Sequence, residues 1–402
     1  GRMTSLNLLT DIPGIRVGHG EDLSLRTGVT VILFDSPVTA SGSFPGGAPA
    51  LRETALLEPE NLVEHIHAIV LSGGSTYGLD ATTGVQAWLR EQFGNTPLPP
   101  GTIRVPIVVQ ASLYDLPAGG QTSWGRYSPY ADMGHQAAEN ARHGCFRLGT
   151  AGAGTGATTA TLRGGLGSAS TITPSGHRVA ALVAVNAVGT ATIGDGPHFW
   201  SAPFEEGHEF GGLGMPTHLT SEDLRLRSKW ASVTGTTIGL IATDATLTKT
   251  QAKRLAILAQ DGVARGVFPA HLPLDGDAMI GVSTREKPAP TPQEWTEILH
   301  AATQVTARAI ARGVYEAGPL PGATSLPTWN ERFGEKKETG FRYDTKMIRT
   351  LISYIFFMIV YDYRTQTECS AQGCVHVLCC AALSCPLPPP SGHCSRHAQA
   401  RS

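Results

Sequence analysis

Residues 235–245 read GTTIGLIATDA, a glycine and a threonine directly ahead of an apolar run rich in β-branched residues. Such a run predicts a buried strand. The Gly-Thr pair at its head is usually a turn, but it is also the layout of a chain that cuts its own backbone. Glycine at 235 would supply the freedom that a strained peptide needs. A liberated Thr236 would combine nucleophile and base, because an α-amino group of pKa about 7.7–8.0 can accept the hydroxyl proton.

Composition narrows the class of protein. The chain has 402 residues, 41% hydrophobic and 16% charged, which is enough to bury a real core. A net charge of −2 does not favour nucleic acid or an anionic membrane as partner. Only Cys145 lies in the first 368 residues and the other cysteines follow Glu368, so the body is predicted to be cytoplasmic, without a disulfide framework.

Periodicity predicts one continuous α/β body over residues 1–330. Short apolar runs bounded by turn residues predict strands at 29–34, 66–71, 103–109, 179–188, 236–243 and 278–283. Helical spacing predicts a helix at 79–93. Capping boxes at Thr248 and Thr291 predict helices that run to about 265 and 317.

Two regions lack this periodicity. Residues 194–229 are rich in Gly, Pro, His and acids and are interpreted as a loop that leads to Thr236. Residues 335–402 are predicted to be a disordered or non-native tail. The apolar run at 351–360 falls short of the roughly 20 residues needed to cross a bilayer.

Three polar positions inside this pattern are candidate site residues. Asn186 lies within an apolar strand and must be hydrogen-bonded, either to a neighbouring backbone group or as an oxyanion donor. Asp275 and Asp277 place two carboxylates on one turn, which either shapes that turn or binds an ammonium group.

Other motifs have simpler interpretations. Residues 152–156, GAGTG, lack dinucleotide spacing and predict a tight backbone loop. Tyr114 would by default be a core aromatic residue. The acidic and histidine residues of 205–218 lack zinc spacing, so no metal is expected. Ser75 is not in a nucleophile elbow.

Taken in order, several motifs resemble one family, the self-processing L-aminopeptidase/D-esterase enzymes, which include β-peptidyl aminopeptidases and nylon-oligomer hydrolases. The resemblance spans residues 8–317. Its motifs are LTDIPGIRVGH at 9–19, GGAP at 46–49, RET at 52–54, LSGGSTYGL at 71–79, AGAGTG at 151–156, AVN at 184–186, GTTI at 235–238, ATDA at 242–245 and DGD at 275–277.

The resemblance implies a four-layer αββα sandwich like that of the N-terminal-nucleophile hydrolases. It implies cleavage between Gly235 and Thr236 into an α chain, 1–235, and a β chain, 236–330, of one domain. It implies hydrolysis of small peptide or amide substrates, no cofactor, and a homotetramer of α/β units.

Site residues carry over position by position. Thr236 matches the nucleophile, Asn186 the oxyanion-stabilising amide, Asp275 and Asp277 the pair that orients the amine, and Tyr114 a site tyrosine. Tyr77 lies in a matching motif and is predicted to bind substrate, together with the residues discussed next.

The chain departs from the family at one position. Where the family often has a lysine after the glycine-rich stretch, this chain has Thr161, and Arg163 lies two residues further on in a segment expected to be extended. Either Arg163 substitutes through a local shift or the charge is missing.

Three functions therefore stay open. They are an amidohydrolase acting on short peptides or ω-amino acid oligomers, an autoprocessing acyltransferase of the ornithine acetyltransferase type, and an unprocessed, non-catalytic relative.

Overall fold

The computed structural model describes residues 5–94, 98–120, 122–229 and 234–335. In this part of the chain the strands β1 to β9 are Ile15–Asp22, Thr27–Ser43, Ala50–Arg52, His65–Ser72, Val108–Ser112, Gly165–Ile172, Arg178–Asn186, Thr236–Ala245 and Ala278–Lys287. The helices α1 to α6 are Ser75–Gly78, Ala81–Phe93, Tyr130–Glu139, Lys249–Gly266, Pro292–Tyr315 and Trp329–Phe333.

The long strand β2 connects two halves of the sheet. The strand order is β3-β5-β4-β2-β9-β8-β7-β6, and β1 also pairs with β2. Before a register shift between Leu33 and Val38, β2 pairs with β1 and β4. Beyond the shift, Val38 and Thr39 still pair with β4, and residues Thr39 to Ser43 pair with β9. A bulge bends a strand and increases its twist, so β2 passes from one half-sheet to the other.

Side chains alternate along the strands and fill three apolar cores. Ile32 and Leu182, from different half-sheets, share a central core. Val31 packs outward with residues of α2 and α3, and Val183 packs outward with residues of α4 and α5. Two helical layers therefore enclose two sheet layers, which confirms the predicted αββα architecture.

The strands β7, β8 and β9 form the framework of the site. β7 and β8 are antiparallel and place Asn186 opposite Thr236, while β8 and β9 are parallel. Every residue of β8 is buried. Thr236 is the first residue of β8, as predicted, so the Gly-Thr pair lies where the strand enters the core.

The predicted helix starts are confirmed by their caps. The Thr248 hydroxyl accepts from the N–H of Gln251 at 3.1 Å, and the Thr291 hydroxyl accepts from the N–H of Glu294 at 3.3 Å. Both capping boxes are complete. A third box, at Thr328, begins α6 and was not predicted.

The prediction of a strand at 103–109 is wrong in its position. β5 starts only at Val108 and continues to Ser112, while Ile103 and Val105 are 79% and 59% exposed. Pro106 explains the difference, because proline cannot donate to a strand ladder and restricts the residue before it.

The loop predicted at 194–229 holds one short 3₁₀ turn, Ala202–Phe204. Its acidic residues stabilise the loop: Glu205 accepts from the N–H groups of Phe210 and Gly212, and Glu209 pairs with buried Arg308 at 2.6 Å. No group of three or more metal-binding side chains occurs among the described residues.

The chain divides after Gly334 into two units, Gly1–Gly334 and Glu335–Ser402. Apart from Glu335 the second unit lies outside the described residues, as does the apolar run at 351–360, so the predicted tail stays a prediction. No helix in the described part is long and apolar enough to cross a membrane.

Candidate active site

The Thr236 hydroxyl lies against the peptide that precedes it. The side chain is 4% exposed, and its Oγ1 donates to the carbonyl oxygen of Gly235 at 2.5 Å. The N–H of Gly276 donates to the same carbonyl oxygen at 2.9 Å. One carbonyl group therefore receives both the candidate nucleophile and a backbone donor.

Gly235 is required by contact, and this corrects the reason predicted for it. It is not among the glycines with positive φ. A Cβ built there would collide with the N of Val188 and lie 2.5 Å from the carbonyl carbon of Ala187. The close approach of the strand to the end of β7, rather than a strained conformation, excludes a side chain.

The GGAP motif packs on the loop that carries the two aspartates. The N–H of Ala48 donates to the carbonyl oxygen of Asp275 at 2.9 Å, and a Cβ at Gly46 would collide with the N of Asp277. Two motifs that are far apart in the sequence thus form one wall of the site.

The carboxylates of Asp275 and Asp277 are held by backbone N–H groups. Asp275 accepts from Val188 at 3.2 Å and from Leu272 at 3.0 Å. Asp277 accepts from the N–H of Thr237 at 2.8 Å. Burial, followed by the charge of Asp277, raises the pKa of Asp275 to about 6. The two carboxylates therefore shape the turn that carries them, and they also border the start of β8.

His271 lies against Asp277 and was not predicted from the sequence. Its N–H and its Nδ1 both lie 2.9 Å from Oδ2 of Asp277. Its backbone is left-handed, with φ 58°, which is uncommon outside glycine. Burial lowers the pKa of His271, but the hydrogen bond and charge of Asp277 outweigh burial and raise it. A lone histidine has no sequence pattern that would have indicated this contact.

Asn186 is fully buried opposite Thr236. Its Nδ2 donates to the carbonyl oxygen of Tyr114 at 2.8 Å, and its Oδ1 accepts from the N–H of Thr158 at 2.9 Å. A carboxamide nitrogen carries two N–H groups, and Tyr114 uses one of them. Asn186 thus makes the structural bond to a neighbouring backbone group, and it also lies opposite Thr236, where an oxyanion donor is required.

A lysine lies at this amide, though at another position than the family pattern predicts. Nζ of Lys229 is 3.2 Å from Oδ1 of Asn186 and 3.3 Å from its carbonyl oxygen. Lys229 was not predicted as a site residue, because a single lysine in a polar loop is not distinctive.

A cavity of about 450 Å³ adjoins this cluster. Its lining includes Tyr114, Asp115, Thr158, Arg163, Lys229 and Thr234. Burial raises the pKa of Asp115 to about 6, although hydrogen bonds from Thr27 and Gly74 oppose the shift. Buried groups of both charges therefore line the cavity.

The segment after the glycine-rich loop is a turn, which corrects the extended strand expected there. The N–H of Thr159 donates to the carbonyl oxygen of Leu162 at 2.7 Å. Arg163 is buried, lines the cavity and donates to the carbonyl oxygen of Thr155 at 2.6 Å. Thr161 is not one of the described residues that line the cavity.

Tyr77 lies apart from this cluster. It is on α1, is 55% exposed, and packs edge-on against Trp124 with ring centroids 5.4 Å apart. It is not among the described residues that line the cavity, and its contact with substrate stays a prediction.

Solved structures share this fold. The chain superposes with a TM-score of 0.61 on the L-aminopeptidase D-Ala-esterase/amidase of Ochrobactrum anthropi, which is described as a new variant among the Ntn hydrolase fold, at 21% identity over 80% of this chain and 90% of that one. A Burkholderia sp. β-aminopeptidase gives 0.56 at 22% identity over 78% and 88%. The chain therefore has the fold of the N-terminal-nucleophile class.

Sequence comparison shows the family. The profile of peptidase family S58 matches residues 7–326. A protein of Mycobacterium tuberculosis, named as an uncharacterized aminopeptidase, is 38% identical over 350 residues, 82% of this chain and 98% of that protein. A 6-aminohexanoate-oligomer endohydrolase of Kocuria sp. is 27% identical over 293 residues, 70% and 76%. The chain belongs to peptidase family S58 and is a hydrolase of peptide or amide bonds.

Proposed function

We propose that this hydrolase cuts its own chain between Gly235 and Thr236 and then uses Thr236 as an N-terminal nucleophile. The observation that carries the proposal is the 2.5 Å contact between the Thr236 hydroxyl and the carbonyl oxygen of Gly235. The N–H of Gly276, 2.9 Å from that oxygen, would stabilise the negative charge that develops there.

Maturation is an N→O acyl shift followed by hydrolysis. Oγ1 of Thr236 attacks the carbonyl carbon of Gly235, the C–N bond to Thr236 breaks, and the hydroxyl proton ends on the nitrogen. Water then hydrolyses the ester. The products are a carboxylate at Gly235 and a Thr236 with a free amine and a restored hydroxyl.

In turnover the free amine serves as the general base. It accepts the Oγ1 proton as that oxygen attacks a substrate amide. The second N–H of Asn186, together with the N–H of Gly276, stabilises the oxyanion. The substrate amine leaves with the proton, and water hydrolyses the acyl-enzyme.

Asp275 and Asp277 have a role once the amine exists. Gly235 and Asp275 pair as an isolated bridge, so the new chain end would lie beside the two carboxylates. An opposite charge stabilises an ammonium group. We therefore assign the pair to orienting the amine, with His271 orienting Asp277 in turn.

The names of two relatives favour short amide substrates. The relatives at 38% and 27% identity are named as an aminopeptidase and a 6-aminohexanoate-oligomer endohydrolase. We propose that this enzyme hydrolyses amide bonds of short peptides or of ω-amino acid oligomers. A panel of amino-acid p-nitroanilides and 6-aminohexanoate oligomers would distinguish the two, and added amines would reveal acyl transfer in place of hydrolysis.

The decisive experiment compares the wild type with Thr236→Ala and Thr236→Ser. Mass spectrometry and N-terminal sequencing of the active wild type should find a fragment that begins Thr-Thr-Ile-Gly. Thr236→Ala should stay intact and inactive, whereas Thr236→Ser keeps a hydroxyl and should still be cut. An intact but active wild type, or turnover by folded Thr236→Ala, would refute the proposal.

A further inference from the structure

Lys229 is held against Asn186 by three contacts. Its backbone N–H donates to the carbonyl oxygen of Val188 at 3.2 Å. Its Nζ donates to Oδ1 and to the carbonyl oxygen of Asn186 at 3.2 and 3.3 Å. The lysine is therefore tied by its backbone to the chain just after β7, and its ammonium group reaches back to the last residue of that strand.

The surroundings of this ammonium group are charged. Asp115 and Asp275 face it from two different loops, and Arg163 lines the same cavity. After the proposed cleavage the amine of Thr236 would add a further titratable group. Burial lowers the pKa of Lys229 to about 7, although the charges of Asp275 and Asp115 oppose this shift.

We infer that Lys229 is a positioning residue of the active site, whose ammonium group fixes and polarises the Asn186 amide that faces Thr236. The inference rests on the proposed function, because it assigns Lys229 to the amide that would stabilise the oxyanion.

The physical reason is the division of donors around Asn186. Its Oδ1 receives the N–H of Thr158 and the ammonium group of Lys229, so the oxygen is held on this side and Nδ2 on the other. A charged donor at the oxygen of an amide also polarises that amide and strengthens its N–H groups as donors. A neutral lysine would retain the contact and lose the polarisation.

This arrangement makes the rate depend on pH in two ways. Turnover requires the Thr236 amine without its proton, so the rate rises as that amine deprotonates. It also requires Lys229 with its proton, so the rate falls as the ammonium group titrates. Arginine in place of the lysine stays charged across this range and should remove the second effect alone.

The test compares Lys229→Met and Lys229→Arg with the wild type. Lys253→Met is the matched control, because Lys253 pairs with Glu58 at 2.6 Å on the surface. Cleavage at 235–236 is measured first by mass. Values of kcat and KM per cleaved chain are then measured across the neutral and alkaline range, and thermal unfolding confirms the fold.

Lys229→Met should lower kcat about ten- to hundredfold, with little change in KM. Failure of Lys229→Met to be cut, with cleavage intact in Lys229→Arg, supports the same role in maturation. Lys229→Arg should retain most of kcat and lack the alkaline fall, and Lys253→Met should match the wild type.

Three results would overturn the inference: wild-type kcat in Lys229→Met, an unchanged alkaline fall in Lys229→Arg, or equal losses in both variants. If Lys229→Met does not fold, the pH profile of Lys229→Arg decides. The tests of the proposed function leave Lys229 unchanged. Failure of the proposed function is therefore recognised separately, by an uncut wild type or an active Thr236→Ala.

Discussion

At the scale of single residues, glycine marks where backbones approach the nucleophile. Gly276 has no positive φ, yet a Cβ there would lie 2.8 Å from Oγ1 of Thr236 and 2.8 Å from the carbonyl oxygen of Ala48. Any side chain at 276 would enter the space between the nucleophile and the GGAP motif. The same N–H that bonds to Gly235 depends on this close approach.

Gly276→Ala should therefore damage maturation as well as stability. We expect it to lower the free energy of unfolding by about 1–3 kcal/mol, the usual cost of overpacking, and to slow cleavage at 235–236, because the Gly276 N–H must move from its acceptor. Gly318→Ala is the control, since a Cβ there meets nothing within 4 Å. Denaturant unfolding and the cleaved fraction measure the two effects; wild-type cleavage in Gly276→Ala would contradict the assignment.

At the scale of elements, the connection from α4 to β9 holds the start of β8 in place. One carboxylate of this connection, Asp277, bonds to Thr237 through Oδ1 and to His271 through Oδ2. The left-handed backbone at His271 turns the segment back towards Asp277. Strain of this kind persists where the surrounding contacts hold the residue in place.

The His271–Asp277 pair should make stability depend on pH. The pKa of His271 is raised in the fold, so its stabilisation is complete below the ordinary histidine pKa of about 6.5 and is lost as pH rises through the higher folded value. His271→Asn should lower the free energy of unfolding by about 1–3 kcal/mol at low pH and by less at high pH. Asparagine is chosen because it tolerates the left-handed conformation.

His135→Asn serves as the control for this measurement, since His135 makes a similar contact with Glu91 on the surface, at 3.2 Å. Exposed pairs contribute little, so its effect should be small at every pH. A His271→Asn defect that stays constant with pH would show that the pair does not titrate as proposed.

At the scale of the whole molecule, the first unit contains every residue of the proposed mechanism. Thr236, Asn186, Lys229 and the two aspartates all lie before Gly334. The apolar packing of this unit continues into α6, where Trp329 stacks on Phe199 with ring centroids 6.0 Å apart.

A chain that ends at Gly334 should therefore fold, be cut and turn over substrate like the full chain. A chain that ends at Ala317 removes α6 and the stacked ring of Trp329, and it should unfold at a lower temperature. Thermal unfolding, fragment mass and specific activity measure the comparison. Loss of folding or activity in the chain that ends at Gly334 would show that residues beyond Gly334 are required.

Sequence patterns predicted the parts of the site that lie on regular strands. Asn186 and Thr236 are an amide and a hydroxyl in apolar runs, and such polar residues stand out in a periodic pattern. Lys229 and His271 lie in loops, where no period distinguishes a functional residue from a solvated one. Their contacts depend on how the loops fold back, as the turn around Arg163 also shows.

By itself the sequence determined the alternation of strands and helices, the two capped helices, and the residue pair at the head of β8, because each depends on neighbours within a few positions. Only the tertiary structure decided which cation lies at Asn186 and which N–H lies at the carbonyl of Gly235. Lys229 is 43 residues from Asn186 in the chain. A contact over that separation is set by the packing of β7, β8 and their loops, and local sequence spacing does not predict it.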